Sequence, residues 1–379
     1  MRHEARSTLT TGGRFAQSAR LLTLIVLAAL LGGCTTAGYY WQSINGHVQL
    51  MRAARPVPDW LADSATPEAL KSRLALSQRI RDFAATELKL PDNTSYRRYA
   101  DLKRRAAVWN VVAAPPLSLT LKTWCFPVAG CVGYRGYFDE AAARAEADQI
   151  QRQEGLEVSV YGVSAYSTLG WLNWAGGDPL LNSFIHYPEG ELARMLFHEL
   201  AHQVVYVADD TAFNESFATA VERLGVQAWL ETRASPEVQA EYEAYDQQRR
   251  QFRALTRQTR QALQQIYAQN EALSLTQQAK LAMKNEAMAQ FRADYAALKA
   301  QSGMAPARWT GFDAWVARAN NAAFGAQAAY DDLVPGFETL FEREGRDWLK
   351  FYAAVRQLAD LPKAERQSHL KRPLATPHA

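Results

Sequence analysis

Hydrophobic and polar positions follow several different patterns along the chain, and the first clear one is an apolar run, Leu21–Leu31. Arg14 and Arg20 precede this run, which is shorter than the roughly 20 residues that a membrane-spanning helix needs. A basic flank followed by a short apolar stretch is typical of a secretory signal peptide. We therefore expect residues 1–33 to be a targeting segment and residues 34–66 to be an extended leader.

Helical periodicity begins near residue 67, where one predicted helix face carries Leu70, Leu74, Leu76, Ile80, Phe83 and Leu88. Residues 107–138 differ, because valine and leucine there lie among prolines and glycines, a pattern that predicts strands and turns. Residues 139–154 are predicted to be a helix that ends at Gly155. The alternating segment Leu156–Tyr161 predicts another strand.

The second half of the chain is mainly helical in its pattern. Helices are predicted over 189–207 and 211–232, after a short strand candidate at Leu181–Ile185. Further helical stretches are predicted near 311–325, 336–345 and 346–360. The expected fold class is α+β, mostly helical, with one small sheet.

Residues 235–302 form a predicted pair of long antiparallel helices that turns near Glu271–Thr276. This segment contains no histidine, and Glu241 and Glu243 lie among glutamine and arginine, as on a solvated helix face. We expect it to be an accessory insertion outside any metal site, which restricts substrate access or docks a protein partner.

Charge narrows the classes of partner. The net charge of +3 is accounted for by the N-terminal 33 residues, in which four arginines outnumber Glu4. The remaining chain is neutral, so nothing in its charge favours nucleic-acid binding. A hydrophobic content of 48% supports a buried core.

The strongest chemical motif is His198-Glu199-Leu200-Ala201-His202. Positions i and i+4 of a helix share one face, so His198 and His202 can reach one metal ion. Glu199 lies about one hundred degrees around the helix, where its carboxylate can act as general base on a water at the metal. The motif therefore predicts a zinc site, with one Zn²⁺ per chain and Glu199 as the catalytic group.

A third ligand is expected from Glu215, because residues 207–210 can turn the chain and bring a second helix back across the first. Glu222 lies on the same face as Glu215 and is expected to accept a hydrogen bond from a ligand histidine. His186 is an alternative third ligand. The metzincin pattern is excluded, since Val205 and Ala208 occupy its glycine and histidine positions.

Three cysteines remain to be placed. Cys125 and Cys131 flank a turn with proline and glycine, so in an oxidising compartment we expect one small disulfide loop, and their spacing does not suit a metal pair. Leu31-Gly32-Gly33-Cys34 resembles a bacterial lipobox, which implies acylation of Cys34 and a lipid anchor in a membrane. Thr35 follows the cysteine, and resemblance to sorted lipoproteins then implies the periplasmic side of the outer membrane.

These motifs together resemble a family. Asn214-Glu215-Ser216-Phe217-Ala218 looks like the ligand helix of gluzincins such as relatives of aminopeptidase N, where this glutamate is the third zinc ligand. The whole combination is similar to a bacterial family of predicted lipoprotein aminopeptidases, and it includes the lipobox, Cys125-Phe-Pro, Gly133-Tyr-Arg-Gly-Tyr-Phe138, Tyr166-Ser-Thr-Leu-Gly170 and Val334-Pro-Gly-Phe337. The resemblance implies a zincin-like peptidase domain over 67–379 that carries the insertion 235–302.

The chain also departs from the relatives of aminopeptidase N, because their G-x-M-E-N segment, which binds the substrate amine, is missing upstream. A zinc endopeptidase therefore stays open beside an aminopeptidase, as does a non-catalytic lipoprotein scaffold with a vestigial metal site. Candidate donors to the reacting oxygen are Tyr166, Tyr330, Tyr134 and Tyr137. Asn320 and Asn321 are expected either to bind substrate backbone or to cap helices.

Overall fold

The structure is a computed structural model that describes residues 38–126, 130–268 and 276–371. The chain divides into two units, of which the first ends at Gln49 and the second begins at Leu50. In the first unit the described residues are helical, within helix α1, which covers residues 38–53. Where the sequence predicts an extended leader, the chain therefore forms a helix instead. Cys34 and the predicted signal peptide lie outside the described residues.

The second unit contains most of the helices. The bounds of the remaining helices are α2 Val57–Ala62, α3 Glu68–Thr86, α4 Glu140–Glu154, α5 Glu189–Ala201, α6 Thr211–Arg233, α7 Pro236–Ala268, α8 Gln277–Gln301, α9 Thr310–Ala317, α10 Asn321–Asp331, α11 Val334–Arg343, α12 Trp348–Ala359 and α13 Lys363–Lys371. None of the helices in the described ranges is both long enough and apolar enough to cross a bilayer.

Strands are short and fall into small sheets. Their bounds are β1 Arg55–Pro56, β2 Arg98–Ala100, β3 Val108–Ala114, β4 Trp124–Phe126, β5 Gly130–Val132, β6 Arg135–Tyr137, β7 Glu157–Val163 and β8 Leu180–Leu181. Three sheets are found among the described residues, in the orders β1-β2-β8, β6-β3-β7 and β4-β5. The α+β, mostly helical class is thus confirmed, whereas the prediction of one sheet is wrong, because the strands pair in separate groups.

Local signals explain several element ends. Asp139 caps α4 by accepting a hydrogen bond from the N–H of Ala142 at 2.8 Å, and Gly155 ends it with φ at 66°. The predicted helix 311–325 is interrupted instead, since Asn320 is extended and its side chain accepts from the N–H of Ala323, which starts α10.

Two other predicted elements are shorter than expected. The strand candidate at 181–185 is reduced to Leu180–Leu181, and the helix over 189–207 ends at Ala201. The predicted turn of the long helical pair, Glu271–Thr276, falls in the undescribed residues apart from Thr276, whose side chain caps α8.

The main core lies around α5 and α6. Phe197 of α5 and Phe217 of α6 are fully buried, and α3, α11 and α12 pack around them through Phe83, Phe337 and Phe351. The two helices that carry the His-Glu motif and Glu215 are therefore held in a rigid apolar setting.

The long helices α7 and α8 have a second apolar core of their own. Phe252 of α7 and Phe291 of α8 are buried with Trp309 and with Phe324 of α10. The pair is therefore packed into the fold along its apolar side, and the solvated face predicted from its composition is only part of its surface.

Candidate metal centre

The two histidines of the motif converge at the end of α5. His198 lies in the last turn and His202 follows the helix with helical backbone angles, so the rings remain one turn apart. Their Nε2 atoms are 3.2 Å apart, and the rings meet edge to face with centroids 4.8 Å apart. Local helix geometry alone produces this pairing.

The turn between α5 and α6 brings Glu215 back to the histidines. Asn214 fixes this turn from both sides, since its Oδ1 accepts from the N–H of Val207 at 2.8 Å and its Nδ2 donates to the carbonyl of Val207 at 2.7 Å. Asp210 caps α6 through the N–H of Phe213 at 3.3 Å. Glu215 Oε2 then lies 3.3 Å from His198 Nε2.

The three candidate ligands fit a single metal ion. The distance from Glu215 Oε2 to His202 Nε2 is 3.6 Å, and the ligand atoms of all three residues lie within 4.8 Å of one another. Tetrahedral zinc with bonds of about 2.0–2.1 Å would space its ligand atoms roughly 3.3–3.4 Å apart. The His-His-Glu group could therefore hold a metal ion, whose charge would also compensate the buried carboxylate.

Charges in the centre reinforce this arrangement. Burial alone would raise the pKa of Glu215, but the neighbouring His202 and His198 outweigh it and lower that pKa to about 2. Burial lowers the pKa of His198, whereas hydrogen bonds to Glu215 and Glu222 raise it, to about 10 overall. His202 Nδ1, by contrast, is buried with no hydrogen-bond partner among the described residues.

Glu222 lies directly behind His198. Its Oε2 is 2.8 Å from His198 Nδ1, while its Oε1 accepts from Arg194 Nε at 2.7 Å. Burial opposes ionisation, but Arg194 and His198 hold the pKa of Glu222 well below its ordinary value. A buried carboxylate on Nδ1 leaves Nε2 of the same ring free for a metal, as is usual for ligand histidines.

Further charges extend this arrangement to the long helical pair. Arg194 NH1 is 3.4 Å from Glu191 Oε2, and Arg249 of α7 contacts both oxygens of Glu191 at 3.0 and 2.9 Å. A line of alternating charges therefore connects α7 to His198 through Glu222. The sequence predicts that the helical pair 235–302 lies outside the metal site. The structure adds that α7 contacts the residues that support His198.

Glu199 has a different environment from the ligand set. Burial raises its pKa, and the positive influence of His198 and His202 offsets this only in part. Its charge also raises the pKa values of Tyr96 and Asp178. A carboxylate with a raised pKa is better suited to accept a proton than an ordinary exposed one.

Several tyrosines interact with the residues of the candidate metal centre. Tyr330 stacks on His198 with ring centroids 6.3 Å apart and 23° between the planes. Burial and the charges of Glu215 and Glu199 raise the pKa values of Tyr330 and Tyr134, so both phenols stay protonated as donors. Tyr161, which the sequence analysis missed, also interacts electrostatically with Glu215. Its position in a strand carried no signal that could have identified it.

The other named tyrosines and asparagines have structural contacts. Tyr166 packs against Phe138 with ring centroids 5.3 Å apart, and Tyr137 is buried in β6. Asn320 caps α10, and the buried Asn321 donates to the carbonyls of Pro115 and Pro116 at 3.0 and 2.9 Å. Helix capping, one of the two expectations, therefore describes Asn320, whereas Asn321 holds the backbone of Pro115 and Pro116.

His186 does not join the group. It is exposed in the turn before α5, and the His-Cys-Asp-Glu grouping found in the described residues contains His198, His202 and Glu215 without it.

Cys125 and Cys131 are joined in a disulfide between β4 and β5. The N–H of Cys131 donates to Asp209 Oδ1 at 2.6 Å, and Asp209 lies in the turn that connects the two ligand helices, with φ at 65°. Gly130 is needed here, because a Cβ at that position would lie 2.7 Å from Asp209 Oδ1. The disulfide loop therefore rests on the turn between His202 and Glu215.

The fold and the centre together define a mostly helical α+β protein with a group of side chains suited to a metal ion. The profile of the family described as "putative aminopeptidase" matches residues 38–370, and the chain belongs to this family. Neither curated proteins nor solved structures gave a significant match. Membership of the family supports a peptidase that acts on peptide substrates.

Proposed function

We propose that the protein is a zinc-dependent aminopeptidase of gluzincin type, with His198, His202 and Glu215 as ligands and Glu199 as general base. The observation that carries the proposal is the convergence of three ligand atoms at distances of 3.2, 3.3 and 3.6 Å. This spacing matches a tetrahedral ion that keeps one position open for catalysis.

The side chains have separate tasks in this mechanism. Bound zinc would supply Lewis acidity to a water and to the substrate carbonyl. Glu199 takes the proton of the attacking water and passes it to the leaving amine, which suits its raised pKa. Tyr330 or Tyr134, both protonated, donates to the oxygen on which negative charge develops. Glu222 holds the ring of His198 in place.

Measurements of zinc content test the proposed ligands, and measurements of peptide hydrolysis test the proposed role of Glu199. Wild-type protein should contain about one zinc per chain, which Glu215→Ala loses. Glu199→Gln should keep zinc and lower kcat by about a hundredfold or more. Glu241→Gln, at an exposed position of α7, is the matched control and should leave both unchanged. Stoichiometric zinc in Glu215→Ala would refute the ligand set, and near-normal turnover in Glu199→Gln would refute the mechanism.

The choice of aminopeptidase over endopeptidase follows the family. An aminopeptidase recognises the free α-amine, so N-terminal acetylation of one peptide should abolish its cleavage. Equal cleavage of the acetylated and free peptides would identify an endopeptidase with the same centre.

The proposal includes a lipid anchor at Cys34 that holds the enzyme at the periplasmic side of the outer membrane. Its support is the sequence pattern of Arg14, Arg20, the apolar run and Leu31-Gly32-Gly33-Cys34. Palmitate labelling of the full chain should be lost in Cys34→Ser, and labelling that survives this change would rule the anchor out.

A further inference from the structure

A cavity of about 240 Å³ shares Tyr330 with the candidate metal centre. Tyr330 lines the cavity and also stacks on His198, and Tyr161 lines it while interacting electrostatically with Glu215. A group that enters the cavity would therefore lie beside the candidate ligands. Neither residue is used in the proposed function to recognise a substrate side chain.

The cavity exists because of small residues on α10. Ala323, Ala326 and Tyr330 fall on one face of this helix, at positions i, i+3 and i+7, and all three line the space. Two alanines at this face leave room that larger residues would fill. The shape is therefore a consequence of the sequence of α10.

Another part of the lining is aromatic and well packed. Trp315 of α9 lines the cavity and packs edge to face against Phe324 and Phe291, with ring centroids 5.2 and 6.0 Å away. Aromatic pairs of this geometry are stabilising, so the space is formed before a ligand arrives. Most of the lining is apolar, from the aromatic rings and the two alanines, and Ser159 and Gln327 add polar groups to it.

The one charged residue of the lining, in the part of the chain that the structure describes, is Arg318. Its Nε donates to the carbonyl of Ala314 at 2.9 Å and its NH1 to that of Val160 at 3.0 Å, which holds the cation at the exposed edge. A lysine or arginine side chain would enter against this charge, and the described residues of the lining include no carboxylate to pair with it.

We propose that this cavity is the specificity pocket of the enzyme and that it takes a large apolar or aromatic side chain of the peptide, next to the bond that is cleaved. The inference rests on the proposed function, since it assigns the substrate class of the same site. Pockets for whole small-molecule ligands measure about 300–1,000 Å³. The smaller cavity found here suits one side chain.

Tripeptides of the forms X-Ala-Ala and Ala-X-Ala, with X as Phe, Ala or Lys, test the pocket. At one of the two positions, Phe should exceed Ala in kcat/KM by about tenfold to a hundredfold, as expected for burial of an aromatic side chain, and Lys should not exceed Ala. Equal kcat/KM for Phe and Ala at both positions would overturn the inference, as would a preference for Lys.

Filling the cavity is the decisive variant. Ala326→Phe should remove the preference for Phe, measured as the ratio of kcat/KM for the Phe peptide to kcat/KM for the Ala peptide, because the pocket is closed. Ala314→Phe, at an exposed position of α9, is the control and should keep the preference. A preference that survives Ala326→Phe in folded protein overturns the inference. If Ala326→Phe does not fold, Ala326→Leu is the variant that fills the cavity, and the same loss of preference is expected.

Binding measured without hydrolysis separates the two proposals. Zinc-loaded Glu199→Gln should bind the Phe peptide more tightly than the Ala peptide in calorimetric titration, and Ala326→Phe in that background should remove the difference. If wild-type enzyme hydrolyses no peptide, the proposed function fails while this titration still tests the pocket. Equal affinities for the two peptides in Glu199→Gln would reject the pocket even if hydrolysis is observed.

Discussion

Glu222 places Oε2 2.8 Å from His198 Nδ1, and this contact connects the metal centre to the rest of the protein. The carboxylate is 3% exposed, and its other oxygen is bound by Arg194. A fully ionised group at this position fixes the tautomer of the imidazole and keeps Nε2 directed at the site.

Removing the charge of Glu222 should weaken metal binding. Glu222→Gln retains the size of the side chain but removes the carboxylate that contacts His198 Nδ1 and leaves Arg194 with Glu191 as its anionic partner. We therefore expect the Kd for zinc to rise by about tenfold to a hundredfold. Glu231→Gln, at an exposed position of the same helix, should match wild type. Competition with a chromogenic chelator measures both, and equal Kd values in the two variants would contradict the role assigned to Glu222.

The long helical pair should influence the metal through Arg249. Since Arg249 contacts Glu191, and Glu191 contacts Arg194, Arg249→Ala should raise the Kd for zinc by about threefold to tenfold, with partial rescue by Arg249→Lys. Arg250→Ala removes the adjacent cation, which is mostly exposed and pairs within α7, and should have no effect.

The same chelator competition compares the arginine variants. Equal affinities in Arg249→Ala and Arg250→Ala would show that the pair is independent of the centre. In that case, replacing 237–300 with a short linker should leave zinc binding intact, as the composition of this segment predicts.

The disulfide should stabilise the turn between the ligand helices. Cys125→Ser with Cys131→Ser should lower the free energy of unfolding by about 2 kcal/mol, from the entropy of a short closed loop. Zinc should also leave this variant faster, because the Cys131 N–H holds Asp209 in that turn. Thermal unfolding and chelator-driven zinc release check the two effects. If zinc leaves the variant and wild type at the same rate, the disulfide contributes to the stability of the fold but not to zinc retention.

Asp178 should make stability depend on pH. Burial raises the pKa of this carboxyl to about 6, although hydrogen bonds from the N–H and hydroxyl of Thr168 oppose the shift. The native state then holds its proton more tightly than the unfolded chain, so ionisation costs stability as pH rises from about 4 to about 6. Relative to Asp178→Asn, wild type should lose up to about 3 kcal/mol over this interval.

Unfolding of metal-free wild type and Asp178→Asn at about pH 4 and about pH 8 measures this difference. Asp148→Asn, at an exposed position of α4, is the control. If wild type became more stable relative to Asp178→Asn as the pH rises, the pKa of Asp178 would not be raised in the native state, and the prediction would be wrong.

Properties that depend on neighbours in the chain could be predicted from the sequence. The spacing of His198 and His202 places both on one helix face wherever that helix packs, and Asp139 and Gly155 bound α4 through their own backbone preferences. The mostly helical class follows from the same local periodicity. The position of Glu215 could be predicted in part, because the short turn after His202 limits where the next helix can lie.

Only the tertiary structure decided which distant residues meet at the centre. Tyr330 on α10 and Tyr161 on β7 come together beside Glu215, and Arg249 reaches Glu191, yet no spacing in the chain relates these pairs. Contacts of this kind depend on how whole elements pack and on loop closure, so a local pattern does not encode them. The sequence by itself therefore determined the helix that presents His198 and His202 on one face, while packing determined its charged support and the cavity beside it.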